Sequence, residues 1–159
     1  MKLYLMRHGE AVSDHVDPQR PLSERGRAQT ASVAAYLRQT GIKLQEVWHS
    51  TELRAKETAE GLVRVMELPL SCQEKKGLAP NDPAGPVADL LQEYAIHHPD
   101  GSIMLVSHLP FLPNLVEILL STETQRGSVR FGEAGTLCLG CGADDTWSLD
   151  WAIEPEEVR

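Results

Sequence analysis

Cysteine is scarce: Cys72, Cys138 and Cys141 are the only three in 159 residues. An odd number at irregular spacing builds no disulfide framework, so a reducing compartment fits best. Long apolar runs are missing as well, and none approaches the ~20 residues that a membrane-spanning helix needs. No basic segment leads into an apolar stretch with a small-residue cleavage site, so a cytoplasmic location is expected. Positive charge is in deficit, with 15 Lys and Arg against 23 Asp and Glu and a formal net charge of −8. Such a surface repels polyanions, which argues against nucleic acid or an anionic membrane as partner. A phosphorylated group would have to be met by a local pocket of Arg and His. There is also no internal repeat, linker or low-complexity segment, so one domain is expected over residues 1–159, long enough to bury a core.

What is present begins with Leu3-Tyr4-Leu5-Met6-Arg7-His8-Gly9-Glu10. Four apolar or aromatic residues without alternation read as a strand buried on both faces, delivering Arg7 and His8 to its C-terminal edge. In open α/β sheets that edge is where ligands bind. Ile103 to Val106 followed by Ser107-His108 repeats the pattern. Between these two runs the chain alternates. Ser23 caps an Ala-rich helix from about Glu24 to Thr40, in which Gly26 permits a close approach, and Gly41 stops it. Glu46 to His49 is a strand and Ser50 a cap for a helix from about Thr51 to Met66. Leu70 to Gln73 is a third strand candidate, residues 74–86 a loop, and Val87 to Ala95 the stripe of a third helix.

Pro110 suits the first turn of a fourth helix reaching about Ser121. Residues 122–135 read as loop, with an extended piece near Val129 to Phe131. Thr136 to Leu139 and Thr146 to Ile153 flank a turn over residues 140–145, and Trp147, Leu149, Trp151 and Ile153 alternate with polar or small residues. That period of two predicts a half-buried edge hairpin. The whole pattern predicts an α/β fold, a three-layer α/β/α sandwich with a mainly parallel sheet and an antiparallel edge hairpin.

Right-handed crossovers place the ends of the first, second and fourth strands on one side of the sheet. Arg7, His8 and His108 lie at such ends, and Arg54 lies in the first turn of the helix after Ser50. Two arginines and two histidines converging there make a pocket for a dianionic tetrahedral group. The helix starting near Leu109 is expected to add free backbone N–H groups and the positive end of its dipole.

These residues resemble the histidine phosphatase superfamily, whose fold is phosphoglycerate mutase-like. Arg7-His8-Gly9 follows the first strand, Ser50 to Ala55 (STELRA) precedes Thr58-Ala59, and His108 follows an apolar strand. Met6 to Ala11, Arg20-Pro21-Leu22-Ser23 with Gly26, and Ser107 to Pro110 are most similar to the small SixA-type phosphohistidine phosphatases. The resemblance implies His8 as nucleophile, forming a transient phosphohistidine that water hydrolyses. It implies Arg7, Arg54 and His108 as groups holding the phosphoryl oxygens, with no metal or cofactor. The implied partner is a phosphohistidine-carrying protein, a phosphotransfer or phosphorelay domain. A nucleophilic imidazole must be neutral, so the other nitrogen of His8 is expected to donate to an acceptor such as a loop carbonyl, while His108 is expected to serve protonated, as a clamp.

The sequence departs from the superfamily pattern in two places. The carboxylate that protonates the leaving oxygen in larger relatives has no motif here; Glu74, Asp82, Asp14 and Asp17 are loop candidates. An imidazole leaving group, of reference pKa about 6.5, needs less help than an alkoxide. A missing acid therefore favours phosphoramidate over ester cleavage. Thr51 stands where proline is common and is expected to start the helix regardless.

Two other functions compete with phosphohistidine hydrolysis: a small-molecule phosphomonoesterase, and a non-catalytic phosphohistidine-binding module. Arg54 has a plainer use as salt-bridge partner of a neighbouring Glu. Cys138-Leu139-Gly140-Cys141 lacks the second pair a zinc site wants, and on a strand its thiols point to opposite faces. His97-His98 suits a helix C-cap and His15 a solvent-facing loop. His49 is a candidate for the rim of the site, and Arg20 either meets a phosphoprotein or anchors its loop.

Overall fold

The structure is a computed structural model that describes residues 1–121 and 129–158. Six strands form one sheet in the order β3-β2-β4-β1-β5-β6. They are β1 (Lys2–Arg7), β2 (Glu46–His49), β3 (Gln73–Glu74), β4 (Ser102–Ser107), β5 (Thr136–Cys141) and β6 (Trp147–Ile153). The first four run parallel, and β5 and β6 are antiparallel at one edge. The fold is thus the expected α/β one, with a mostly parallel sheet and an antiparallel edge hairpin.

Among the described residues, four α-helices cover the sheet: α1 (Glu24–Gln39), α2 (Leu53–Met66), α3 (Gly85–His97) and α4 (Phe111–Leu119). Alternation along the strands divides the core into two. Leu3, Leu5, Ile103 and Leu105 point toward α3 and α4, whereas Tyr4, Met6, Met104 and Val106 point toward α1 and α2. Leu3, Leu5, Ile103 and Leu105 are completely buried, each contributing about 1.5–3 kcal/mol of transfer free energy. Burial on both faces is why these strands read as unbroken apolar runs.

The register of β1 and β4 sets up the site. Arg7 lies opposite Ser107, the last pair of the ladder, so His8 and His108 leave the sheet side by side. The His8 N–H donates to the Ser107 carbonyl at 3.0 Å. Ser23 caps α1 as expected, its hydroxyl accepting the Gly26 N–H at 3.0 Å. Gly26 allows the close approach foreseen for it: a Cβ there would lie 2.0 Å from the Glu10 carbonyl oxygen.

Several boundaries differ from expectation. α2 begins at Leu53, with Glu52 as N-cap, so neither Ser50 nor Thr51 starts it. β3 pairs with β2 only at Gln73 and Glu74, because Leu70 and Cys72 pack against the α1–α2 core instead of joining the ladder. β5 continues to Cys141, and its turn closes with the Gly142 N–H donating to the Thr146 carbonyl. Residues 129–135 form no strand, and residues 122–128 of that expected loop lie outside the described residues.

β6 conceals a switch. Its pairing with β5 shifts between Cys138, opposite Trp151, and Leu139, opposite Leu149, leaving Asp150 as the extra residue of a bulge. Trp147 and Leu149 therefore join the α3–α4 core, while Trp151 and Ile153 join the α1–α2 core. Cys138 and Cys141 point to opposite faces, and all three thiols are free. Among the described residues no helix is long and apolar enough to cross a membrane.

Gly26→Ala offers a direct check on the packing. Alanine gains about 1 kcal/mol in helix propensity, but its methyl group would collide with backbone. A net loss on the order of 2 kcal/mol or more in a denaturant melt is expected, and a stabilised variant contradicts the packing described.

Candidate active site

The turn after β1 is held from several directions. The Gly9 N–H donates to Thr58 Oγ1 at 3.1 Å, and Thr58 in turn donates to the Arg54 carbonyl at 2.8 Å. The Glu10 N–H donates to Gln29 Oε1 at 2.9 Å, and the Ser23 N–H to the Glu10 carbonyl at 2.9 Å. These contacts fix the Gly9 carbonyl 2.7 Å from Nδ1 of the buried His8. A carbonyl can only accept, so Nδ1 carries the ring proton and Nε2 keeps a free lone pair. The expected loop carbonyl is that of Gly9.

The His8 and His108 rings face each other with centroids 5.0 Å apart. Arg7 leaves the end of β1, and one of its terminal nitrogens donates to the Phe131 carbonyl at 3.2 Å. Arg54, the second residue of α2, has one terminal nitrogen 3.5 Å from a Glu52 carboxylate oxygen. The plain salt bridge foreseen for Arg54 exists, but it engages only part of the guanidinium. Three buried side-chain nitrogens have no hydrogen-bond partner among the described residues: Arg7 Nε, Arg54 Nε and His108 Nδ1. Buried polar atoms are rarely left so, and these three belong to residues that the sequence assigned to one pocket.

Electrostatics there are one-sided. Burial, followed by the charges of Arg54, Arg7 and Arg20, lowers the His8 pKa to about 4 against the opposing Gly9 hydrogen bond. Burial, then His8, Arg54, Arg20 and Arg7, lowers that of His108 to about 3. Both rings are therefore neutral at pH 7. For His8 this is the state a nucleophile needs; for His108 it makes the anion-free ring neutral. Burial, then Arg20, also lowers the pKa of Arg54.

The sequence understated two residues. Ser50, expected as a helix cap, instead places Oγ 2.6 Å from His108 Nε2. Arg20, left open by the sequence, has a left-handed backbone (φ 50°) and donates from Nε to the Val12 carbonyl at 3.1 Å. It anchors its loop, and its charge acts on His8, His108 and Arg54 together. The signal was there in Arg20-Pro21-Leu22-Ser23, but nothing in the spacing said that this loop returns to the sheet edge.

Other candidates lie elsewhere. His49 is buried in a cleft of about 420 Å³ shared with Lys56, Arg64 and Cys72, its Nδ1–H donating to the Ser50 carbonyl at 2.8 Å. His15 is exposed, and His98 forms the C-cap of α3. Among the four carboxylate candidates, Asp14 faces His15, Asp17 accepts from the Gln19 N–H, Asp82 accepts from the Ala79 N–H, and Glu74 is exposed on β3. No described contact joins any of them to Arg7, His8, Arg54 or His108. α4 begins at Phe111, and its Leu112 and Asn114 N–H groups are bonded to the His108 and Pro110 carbonyls.

A neutral imidazole with a free lone pair, ringed by cationic and N–H donors, suits a tetrahedral oxyanion. Comparison with known proteins agrees in class. The family model of the histidine phosphatase superfamily (branch 1) matches residues 3–79. The chain belongs to that superfamily. Within it, the chain is 32% identical over 125 residues to the phosphohistidine phosphatase SixA of Escherichia coli, covering 78% of this chain and 77% of that protein. It is 34% identical over 146 residues to an uncharacterized protein of Picosynechococcus, covering 90% and 87%. A structure of the protein histidine phosphatase SixA complexed with tungstate matches at a TM-score of 0.89 and 26% identity over 100% of both chains.

Both histidine pKa values lie below that of an unfolded histidine, so between about pH 4 and 6.5 the unfolded chain binds more protons than the native one. Stability present at pH 7 is therefore lost on acidification through that window, by up to ~1.4 kcal/mol per pH unit for each ring. Denaturant melts from pH 7 to pH 4 should show this slope, and His108→Asn should reduce it. Equal slopes in the two proteins contradict the assignment.

Proposed function

We propose that this chain is a phosphohistidine phosphatase, removing phosphate from a phosphorylated histidine of a partner protein through a covalent intermediate on His8. The observation that carries the reading is the neutral His8, with Nε2 free, beside the unpartnered Arg7 Nε, Arg54 Nε and His108 Nδ1. In this reading the Nε2 lone pair attacks phosphorus while the bond to the substrate's imidazole nitrogen breaks, and the substrate ring, protonated on its other nitrogen, leaves as neutral imidazole with the bonding electron pair. Arg7, Arg54 and His108 hold the three remaining oxygens as charge shifts among them. Water then attacks the phosphorus on His8, releasing inorganic phosphate and restoring the neutral ring.

The similarity to SixA in sequence and fold supports this substrate class, as does the tungstate, a phosphate-like oxyanion, in the SixA structure. The charges acting most strongly on the two rings are cationic, and none of the four candidate carboxylates touches them. This suits a leaving imidazole, which accepts a proton near neutrality, better than an alkoxide. Leu109, directly after His108, is 39% exposed, and Val16 in the loop that carries Arg20 is 76% exposed. An apolar side chain exposed directly after His108, as Leu109 is, suits contact with a protein surface.

The decisive comparison is turnover on a phosphohistidine-bearing phosphotransfer domain against a panel of alkyl phosphates. A strong preference for the phosphoprotein is expected; preference for the esters supports a small-molecule phosphomonoesterase instead. His8→Ala should abolish hydrolysis. Arg54→Ala should cut kcat on the order of 10²–10³-fold while the protein stays folded. Tight binding of the phosphoprotein without any release of phosphate would favour a binding module.

A further inference from the structure

We propose that Ser50 is a positioning residue for this site: its buried hydroxyl donates to His108 Nε2 and holds the neutral ring as the Nδ1–H tautomer, a ready donor to an oxyanion. The inference rests on the phosphoryl-site reading above and assigns the state of one of its groups.

Ser50 is completely buried between β2 and α2. Its backbone is fixed on both sides: the N–H donates to the Val106 carbonyl at 3.3 Å, and the carbonyl accepts from His49 Nδ1–H at 2.8 Å. The hydroxyl oxygen accepts from the Glu52 N–H at 3.3 Å and stands 2.6 Å from His108 Nε2. A buried hydroxyl needs an acceptor for its own proton, and among the described contacts Nε2 is the one at hand. If Nε2 accepts, a neutral imidazole must carry its proton on Nδ1. His108 Nδ1 is one of three buried side-chain nitrogens without a hydrogen-bond partner among the described residues, with Arg7 Nε and Arg54 Nε. As N–H it joins two guanidinium N–H groups in offering a hydrogen bond. The opposite tautomer would turn a lone pair toward an incoming anion and leave the Ser50 proton unbonded.

The groups around the ring explain why a neutral donor is required. His8 and Arg7 face it from the end of β1, Arg20 from the following loop and Arg54 from α2. Burial first, and then these neighbours, disfavour a second proton on His108 in the anion-free site. A hydroxyl that sets the tautomer supplies the needed donor without a further charge.

The test is nitrogen-15 NMR of the imidazoles in the wild-type protein free of phosphate, from pH 6 to 8, with His108 assigned by loss of its signals in His108→Asn. The expected pattern is a protonated Nδ1 and an unprotonated Nε2 with no titration in that range. An Nε2-protonated or doubly protonated ring overturns the proposal. In Ser50→Ala the tautomer pattern should change, kcat should fall about tenfold or more, and tungstate binding should weaken by a similar factor. Full activity, or an unchanged nitrogen pattern, overturns it as well. Failure of wild-type protein to bind tungstate sinks the oxyanion reading itself, whereas the nitrogen pattern reports the tautomer regardless of substrate.

Discussion

The site depends on one carbonyl. Gly9 O accepts the Nδ1 proton of His8 at 2.7 Å, and this bond leaves Nε2 as a lone pair on a neutral ring. Its direction is set by crowding, since α1 lies so close beneath the turn that a Cβ on Gly9 would fall 2.6 Å from the Gly26 carbonyl oxygen. The contact is reciprocal, because a Cβ on Gly26 would meet Glu10. Two glycines thus let a helix and a strand-end turn share one small volume. Thr58 and Gln29 then satisfy the turn's N–H groups from α2 and α1. Helix packing and imidazole tautomer are consequences of the same backbone approach.

A second constraint is charge. The chain carries a formal −8, yet the charges acting on His8 are the guanidinium groups of Arg54, Arg7 and Arg20, and those acting on His108 are His8 and the same three arginines. Burial first, and then the cations around it, keep both imidazoles neutral, the state that the proposed nucleophile requires. The cost is a set of buried nitrogens without hydrogen-bond partners among the described residues, a stress that an oxyanion with several acceptor oxygens would relieve. An acidic outer surface with a cationic focus also discriminates among anions. A bulky polyanion is repelled by the surroundings, while one phosphoryl group presented locally can reach the donors.

Much of this was legible in the residues. β1 and β4 are recognisable because both faces of the sheet are covered, so their apolar runs are unbroken, and each ends in histidine. Arg54 followed from its place just after β2. The less legible parts depend on register and on loop return, which local patterns do not encode. Ser50 looks like a cap because a small polar residue precedes a helix, yet α2 starts two residues beyond Thr51 and the hydroxyl goes across the sheet edge to His108. Trp147, Leu149, Trp151 and Ile153 alternate without interruption, yet the bulge at Asp150 sends two of them to each core. Arg20 stands twelve residues past His8 and acts on it only because the intervening loop folds back, with Val12 N–H bonded to the Pro21 carbonyl.

The central claim is that Nε2 of His8 takes the phosphoryl group. Its most direct test is rapid mixing with a phosphorus-32-labelled phosphohistidine protein, followed by an alkaline quench that preserves phosphohistidine and by peptide mapping. Label is expected on the peptide containing His8, at Nε2, rising and decaying within a turnover. Phosphate released at full rate with no label ever appearing on His8 would contradict it.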